Sequence, residues 1–138
     1  MPNKPQTIEV PRTFVCWFYA AAVYNTIYGI AVILFPRFVL RIVGIEFLNY
    51  LPVLQALGMV VGVYAYGYYL LAKAPVRYSG LIWVGLAGKT FGPIGYLFFA
   101  ACGELPWSFG WMVLANDLIW WPVFWTFALK YGRNPLGG

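Results

Sequence analysis

The sequence predicts an all-α membrane protein in which four transmembrane helices form an up-down bundle, with a short interfacial amphipathic helix between the first two. This prediction follows from an apolar composition, four long apolar segments and short connections. Of the 138 residues, 62% are hydrophobic and only 9% are charged. A soluble domain carries roughly 25% charged residues because its surface faces water. Much of this surface must therefore face lipid, and residues 1–138 are expected to form a single membrane domain.

Four apolar segments are long enough to cross a bilayer. Each is close to the ~20 residues that a helix needs to span a ~30 Å hydrocarbon core. Backbone groups in lipid must pair with one another, and a continuous apolar segment achieves this only as a helix. The polar residues before the first segment are expected to be a short tail and not the start of a cleaved signal peptide. The predicted spans are residues 14–35, 51–72, 80–101 and 109–129.

The connections predict how these spans are arranged. Residues 73–79 and 102–108 form short links, which place consecutive spans side by side and antiparallel. The first connection is longer and repeats Arg37, Arg41 and Gly44 at helical spacing among apolar residues. This narrow basic stripe indicates a helix lying in the membrane interface. An ordinary loop with two snorkelling arginines is the alternative interpretation.

Lysine and arginine predict the orientation of the bundle. One side holds six basic residues, whereas the opposite side holds only Arg37 and Arg41. Basic residues favour the cytoplasmic side, so both termini are expected in the cytoplasm, with the protein in a bacterial inner membrane. The six residues are Lys4, Arg12, Lys73, Arg77, Lys130 and Arg133.

Cysteine and histidine usage limits the available chemistry. The chain has no histidine, which removes the commonest metal ligand and the usual haem ligand. Cys16 and Cys102 are predicted near opposite ends of the bundle, well beyond the ~7 Å Cα separation that a disulfide allows. We therefore expect two free thiols, no metal and no cofactor. The few dispersed charges also argue against nucleic-acid binding.

Polar residues inside the predicted spans give the main functional signal. Helical rise places Lys89 about 13 Å and Asp117 about 18 Å from the inner ends of neighbouring spans. Isolated charges at such depths cost at least ~2.5–3.5 kcal/mol each, so an ion pair between them is expected. Asn116 and Thr90 adjoin these residues in sequence but are expected to turn onto different faces. The predicted polar cluster comprises Lys89, Asp117, Asn25, Asn116 and Gln55, with Gln55 nearer the outer surface.

Two interpretations of the Lys89–Asp117 pair stay open. A buried pair can fix helix register without binding anything. Intramembrane ionisable residues also mark sites for a substrate, an ion or a lipid head group. The structural interpretation is favoured because one balanced pair needs no ligand.

Glycines predict where helices approach closely. Gly58 and Gly62 form a GxxxG motif in the second span, and Gly88 and Gly92 form another in the third. Small residues let helix backbones come together, so we expect tight packing within the chain, without large cavities, in preference to dimerisation. Pro93 is expected to kink the third span, since it has no N–H for the carbonyl one turn earlier.

Two stretches and the overall layout allow comparison with known families. The stretches are Gly88-Lys89-Thr90-Phe91-Gly92-Pro93 and Asn116-Asp117-Leu118-Ile119-Trp120-Trp121. Four short spans, cytoplasmic termini and an amphipathic stretch after the first span resemble small bacterial DoxX-like membrane proteins. The two stretches resemble segments of other small bacterial membrane proteins. The resemblance implies accessory or assembly roles in membrane redox systems and transfers no catalytic residue.

Two functional hypotheses follow. In the first, the chain is an accessory or assembly subunit of a larger respiratory or photosynthetic complex, contacting other membrane subunits through its aromatic surface. In the second, it is a small membrane enzyme or carrier acting on an apolar molecule, a lipid or quinone, at Lys89, Asp117 and Asn25. No catalytic residue is assigned, so the first hypothesis is favoured. The expected partners are the lipid bilayer, other membrane subunits and, in the second hypothesis, a bound lipid or quinone.

Overall fold

The computed structural model describes residues 8–46 and 49–133, and in these ranges it contains helices and no strand. Four helical segments are long and apolar enough to cross a membrane, and each predicted boundary lies within two residues of theirs. Lys4, used above for orientation, lies outside the described residues. The elements are α1 (Arg12–Leu34), α2 (Pro36–Ile42), α3 (Leu51–Lys73), α4 (Leu81–Ala101), a 3₁₀ turn (Trp107–Phe109), α5 (Gly110–Val113), a π-helical segment (Leu114–Leu118) and α6 (Trp121–Tyr131).

Proline and glycine set the ends of α2. Pro36 is the first residue of α2 and restricts Phe35 to a non-helical backbone, which separates α2 from α1. Gly44 has a φ of 78°, the left-handed conformation that glycine adopts without strain. The N–H of Ile45 then reaches back to the carbonyl of Leu40, which completes a common C-terminal cap. Gly44 therefore ends α2 and does not extend its predicted basic stripe.

Helices α1 and α3 pack antiparallel with a very close approach. The ring of Tyr19, early in α1, lies 6.3 Å from that of Tyr69, late in α3. A Cβ atom on Gly29 would lie only 2.8 Å from the carbonyl oxygen of Gly58. Gly58 thus allows close backbone packing within the chain, with Gly29 as a partner that the GxxxG pattern did not reveal. The second glycine of the motif, Gly62, joins this contact through its backbone nitrogen, 3.3 Å from the Gly29 Cβ position, although nothing lies within 4 Å of its own Cβ position.

The glycines of α4 have a different role from the expected one. At Gly85, Gly88 and Gly92, side chains from neighbouring helices occupy the space that a Cβ would need, whereas nothing lies within 4 Å of the Cβ position of Gly95. Tyrosine and aspartate side chains therefore separate α4 from its neighbours at these positions. The distances from the missing Cβ are 2.9 Å to Tyr68 Cε1 at Gly85, 3.2 Å to Tyr64 Oη at Gly88 and 3.1 Å to Asp117 Oδ2 at Gly92.

The buried core is divided between the two ends of the molecule. The larger cluster lies where α1 begins and α6 ends, and the rings of Phe18 and Phe127 meet there at 4.8 Å. A smaller cluster of Tyr96, Ala100 and Val113 lies toward the other end. A cavity of about 500 Å³ lies beside them. The expectation of a bundle without large cavities is wrong, because the α4 glycines accommodate side chains and do not draw the helices together.

Two further expectations concern single residues. Cys16 and Cys102 are both unpaired and exposed, which confirms the prediction of free thiols. Pro93 lies inside α4, which continues as an α-helix to Ala101. The kink at Pro93 stays a prediction.

We expect Gly29→Ala to lower the free energy of unfolding by about 1–3 kcal/mol, because the added methyl group would overlap the backbone of α3. The measurement is equilibrium unfolding of the full chain in detergent micelles. Gly62→Ala is the matched control, since its Cβ would enter open space and alanine favours helix. Equal losses for the two variants would contradict this account of the α1–α3 contact.

Candidate functional site

The cavity lies among α1, α2, α3, α4 and the segment from α5 to the π-helix, and its lining is polar at one end and apolar at the other. The polar lining lies toward the larger core cluster. The apolar lining lies toward α2 and the α4–α5 connection. The residues of the polar end are Asn25, Tyr28, Tyr64, Tyr68, Lys89, Asn116 and Asp117, and Tyr96 lines the other end, where its hydroxyl donates to the Trp107 carbonyl at 3.0 Å. The apolar residues include Val32, Leu40, Leu54, Leu57, Val61, Leu105, Phe109 and Val113.

The last helical segment is irregular beside this polar end. Pro122 lies in the first turn of α6 and has no N–H to give the carbonyl of Leu118, one turn earlier. Just before it, residues Leu114–Leu118 wind as a π-helix, and the Ile119 N–H donates to the Leu114 carbonyl at 3.1 Å. Such single π-turns widen the helix locally and often occur at functional sites.

This irregularity frees two backbone carbonyls inside the molecule. In a regular α-helix, Ala115 and Asn116 would accept from the N–H groups four residues later. The Trp120 N–H donates instead to the Asp117 carbonyl, at 3.3 Å. Side chains replace the missing donors: the Trp120 indole donates to the Ala115 carbonyl at 3.0 Å, and Lys89 Nζ donates to the Asn116 carbonyl at 2.5 Å.

Lys89 is 3% exposed, and its ammonium group has several partners. The predicted ion pair is present, with Lys89 Nζ 3.8 Å from Asp117 Oδ1. That distance exceeds a direct hydrogen bond, so the Asn116 carbonyl is the closer partner. Aromatic rings stabilise the charge further, because a cation is attracted to a ring face within about 6 Å. Nζ lies 5.6 Å from the ring of Tyr68, 5.9 Å from that of Trp120 and 5.8 Å from that of Phe124.

Asn116 contacts Asp117 directly, and the expectation that it faces away is wrong. Its Nδ2 donates to Asp117 Oδ1 at 2.8 Å. An ionised carboxylate only accepts hydrogen bonds, which fixes the nitrogen of the amide toward it. Successive residues are turned through a smaller angle in a π-helix, so both side chains line the cavity.

The other amide atom, Asn116 Oδ1, is buried and accepts no hydrogen bond from the described part of the chain. A buried acceptor left without a donor costs about 1–3 kcal/mol. This atom has essentially no accessible surface, so a molecule in the cavity does not reach it unless the side chain moves.

The remaining predicted residues separate into two groups. Asn25 lines the cavity and is buried, and its Nδ2 donates to the Ala21 carbonyl of its own helix at 2.7 Å. Gln55 does not line the cavity. Its Nε2 donates to the Ile33 carbonyl at 2.8 Å, where the end of α1 leaves carbonyls without helical partners. Gln55 therefore joins α3 to α1 and is not part of the polar end.

Three tyrosines of the site were not predicted as site residues. Tyr28, Tyr64 and Tyr68 line the polar end of the cavity. The Tyr28 hydroxyl donates to the sulfur of Met112 at 2.9 Å. The density of tyrosine in the first two spans was the available signal, but aromatic packing explained it equally well.

The cavity is open at its side. Three residues of its lining, Leu57 and Val60 from α3 and Phe91 from α4, are at least half exposed. An opening that has exposed apolar side chains on both edges lies between α3 and α4. In a membrane this opening faces the lipid chains.

The site has the composition of a binding cavity. Pockets for small molecules measure about 300–1,000 Å³ and combine apolar walls with a few polar groups. Within residues 8–46 and 49–133, no group of three or more His, Cys, Asp or Glu residues is placed to hold a metal ion.

Comparison with models of protein families, with curated proteins and with solved structures finds no match to this chain.

We expect the charge swap Lys89→Asp/Asp117→Lys to lower the free energy of unfolding by about 3–5 kcal/mol, as breaking a buried pair does. The swap keeps both charges but places a carboxylate against three negative ring faces and leaves the Asn116 carbonyl without its donor. The measurement is equilibrium unfolding in micelles.

The control for this experiment is Lys89→Met/Asp117→Asn, which removes both charges at similar volume. Only the freed carbonyl then lacks a partner, so a smaller loss of about 1–3 kcal/mol is expected. A swap variant as stable as the natural sequence would show that the ion pair alone matters and that the rings and the carbonyl do not.

Proposed function

We propose that the protein is a membrane binding protein or carrier that takes a lipid-like or quinone-like amphiphile from the bilayer into the cavity beside Lys89. The observation that carries this proposal is the cavity itself, with a polar end, apolar walls and a side opening between α3 and α4. An amphiphile has the matching division into a polar head and an apolar tail. Its head would lie at Lys89, Asn116 and Asp117, and its tail would extend toward the opening.

The size of the cavity supports a binding role over a purely structural ion pair. A pair that only fixes helix register needs no space around it. The cavity opens between α3 and α4, so a molecule from the bilayer can enter it, and its volume of about 500 Å³ is typical of small-molecule sites.

We also propose the placement of the chain in a bacterial inner membrane as an up-down bundle with both termini in the cytoplasm. The antiparallel contacts of α1 with α3 are consistent with this arrangement. On this placement α2 lies at the outer interface with Arg37 and Arg41 exposed, while Val39 and Leu40 close the outer end of the cavity. The polar end of the cavity is then near the middle of the bilayer.

The accessory-subunit hypothesis has less support. It rests on large exposed side chains such as Trp111 and Val63, and on the DoxX-like layout. Lipid covers exposed apolar side chains as well as a partner subunit does, so this surface does not favour a protein partner. The cavity, in contrast, has no role in that hypothesis.

We expect the full chain, purified with native lipids in polymer nanodiscs, to carry one small amphiphile per chain in native mass spectrometry. Gly95→Phe should reduce this occupancy at least tenfold, because Gly95 lines the cavity and its side chain would enter open space. Gly67→Phe is the matched control: that position is equally open but does not line the cavity, so occupancy should be unchanged.

Two results would overturn the proposal. One is equal occupancy in the natural sequence and Gly95→Phe, which would show that any bound molecule lies outside the cavity. The other is a chain that carries no bound molecule and co-purifies stoichiometrically with a large membrane complex, which would favour the accessory-subunit hypothesis.

A further inference from the structure

Two tyrosine hydroxyls of α3 lie against the glycines of α4, at the wall of the cavity. Tyr68 Oη is 3.1 Å from the Cβ position of Gly85, and Tyr64 Oη is 3.2 Å from that of Gly88. All four residues line the cavity. Gly85 and Gly88 are three residues apart on one face of α4, where Cβ positions are about 5–6 Å apart, so the two hydroxyls are neighbours.

Both hydroxyls are available to a molecule in the cavity. Among the residues that the structure describes, neither has a hydrogen-bond partner, although Tyr68 is only 2% exposed. The fully enclosed side-chain atoms without a partner in these ranges are Asn116 Oδ1 and Trp125 Nε1, so the two tyrosine oxygens retain accessible surface. A buried tyrosine hydroxyl usually has a partner, because an unpaired donor is unfavourable. The cavity is where that partner would lie.

The other polar groups of the site are less available or lie further along α4. The Lys89 ammonium donates to the Asn116 carbonyl and is flanked by three aromatic rings. Asp117 Oδ2 lies over Gly92, one helical turn beyond Gly88. Lys89 and Asp117 are the charged residues of the described lining, one of each sign. A charged head group would add an unpaired charge inside the membrane, so the cavity suits an uncharged one.

The two hydroxyls also lie close to the side opening. Val60 lies one helical turn before Tyr64 on α3, and Phe91 lies three residues after Gly88 on α4. Both Val60 and Phe91 line the cavity and are at least half exposed, at the edges of the opening. A molecule that enters from the bilayer therefore reaches the tyrosines within about one helical turn of the edge.

Resting on the binding function proposed above, we infer that Tyr64 and Tyr68 hold the ligand by donating hydrogen bonds to an uncharged oxygen acceptor in its head group. A phenol hydroxyl donates better than it accepts, because its oxygen shares electrons with the ring. A carbonyl oxygen has two lone pairs and can accept from two neighbouring donors. The carbonyl groups of quinones and of neutral ester lipids share this chemistry, whereas a hydrocarbon chain lacks it.

The test compares four probes that share an aromatic or quinone ring and a decyl tail. Decylbenzoquinone and decyl benzoate carry uncharged carbonyl groups, decylbenzene has no acceptor, and para-decylbenzoate adds a negative charge. Each is added to the full chain in dodecyl maltoside micelles, whose detergent has no carbonyl group, and binding is measured by native mass spectrometry. We expect at least one carbonyl probe to bind roughly tenfold or more tightly than decylbenzene and para-decylbenzoate.

A double variant tests the assigned hydroxyls. Tyr64→Phe/Tyr68→Phe keeps both rings and removes both donors, so the carbonyl probes should bind within about twofold of decylbenzene. Binding of decylbenzene itself should be unchanged, which a collapsed cavity would not allow. Tyr66→Phe is the matched control, because this tyrosine of α3 is exposed and does not line the cavity. A preference for the carbonyl probes that persists in the double variant would overturn the role of the two tyrosines.

The outcomes separate this inference from the proposal on which it rests. Equal binding of the carbonyl probes and decylbenzene to the natural sequence, lost in Gly95→Phe, would overturn the hydrogen-bond selection and keep the binding function. Preference for para-decylbenzoate would overturn the selection of an uncharged head group. Failure of every probe to bind above Gly95→Phe would overturn both proposals. Tighter binding of the quinone or the ester supports the inference, and the tighter of the two identifies the source. These comparisons use the natural sequence and hold whether or not the double variant is stable.

Discussion

The hydrogen bond from Lys89 to the backbone carbonyl of Asn116 joins the two features on which the site depends. In lipid, a backbone carbonyl without a donor is costly, so a break in the helical hydrogen bonds needs a side chain to complete it. Lys89 supplies the donor for the Asn116 carbonyl, and the Trp120 indole supplies the donor for the Ala115 carbonyl. The irregular turn also gives the lysine a polar partner, the Asn116 carbonyl, in an otherwise apolar interior. The lysine and the π-helical segment therefore stabilise each other.

The two ends of the molecule are packed differently, and the difference creates the cavity. Where α1 begins and α6 ends, aromatic rings such as those of Phe18 and Phe127 fill the interior. Toward the other end, Gly29 and Gly58 hold α1 against α3, whereas the glycines of α4 admit side chains and keep that helix apart. The rings at the closed end also support the ammonium of Lys89. The polar end of the cavity thus lies directly against this packed aromatic cluster.

A polar end that contains one balanced ion pair, at the base of an apolar cavity, is suited to holding a molecule with a polar head and an apolar tail. The balanced pair of Lys89 and Asp117 provides polarity without net charge. Affinity would come from the apolar walls, and access would come directly from the bilayer.

The sequence by itself determined that the chain forms four helical segments long and apolar enough to cross a membrane, because length and hydropathy are properties of each segment alone. It also placed Lys89 opposite Asp117, since helical rise gives depth and short loops make neighbours. Only the tertiary structure decided what Gly88 and Gly92 face, where Gln55 binds and that Asn116 has an unpaired oxygen. The two GxxxG motifs have the same spacing, yet Gly58 packs against the backbone of α1, whereas Gly88 and Gly92 pack against side chains. What a glycine contacts depends on which residues the adjoining helix presents. The cavity has the same origin: it is space between helices, and no single segment encodes it.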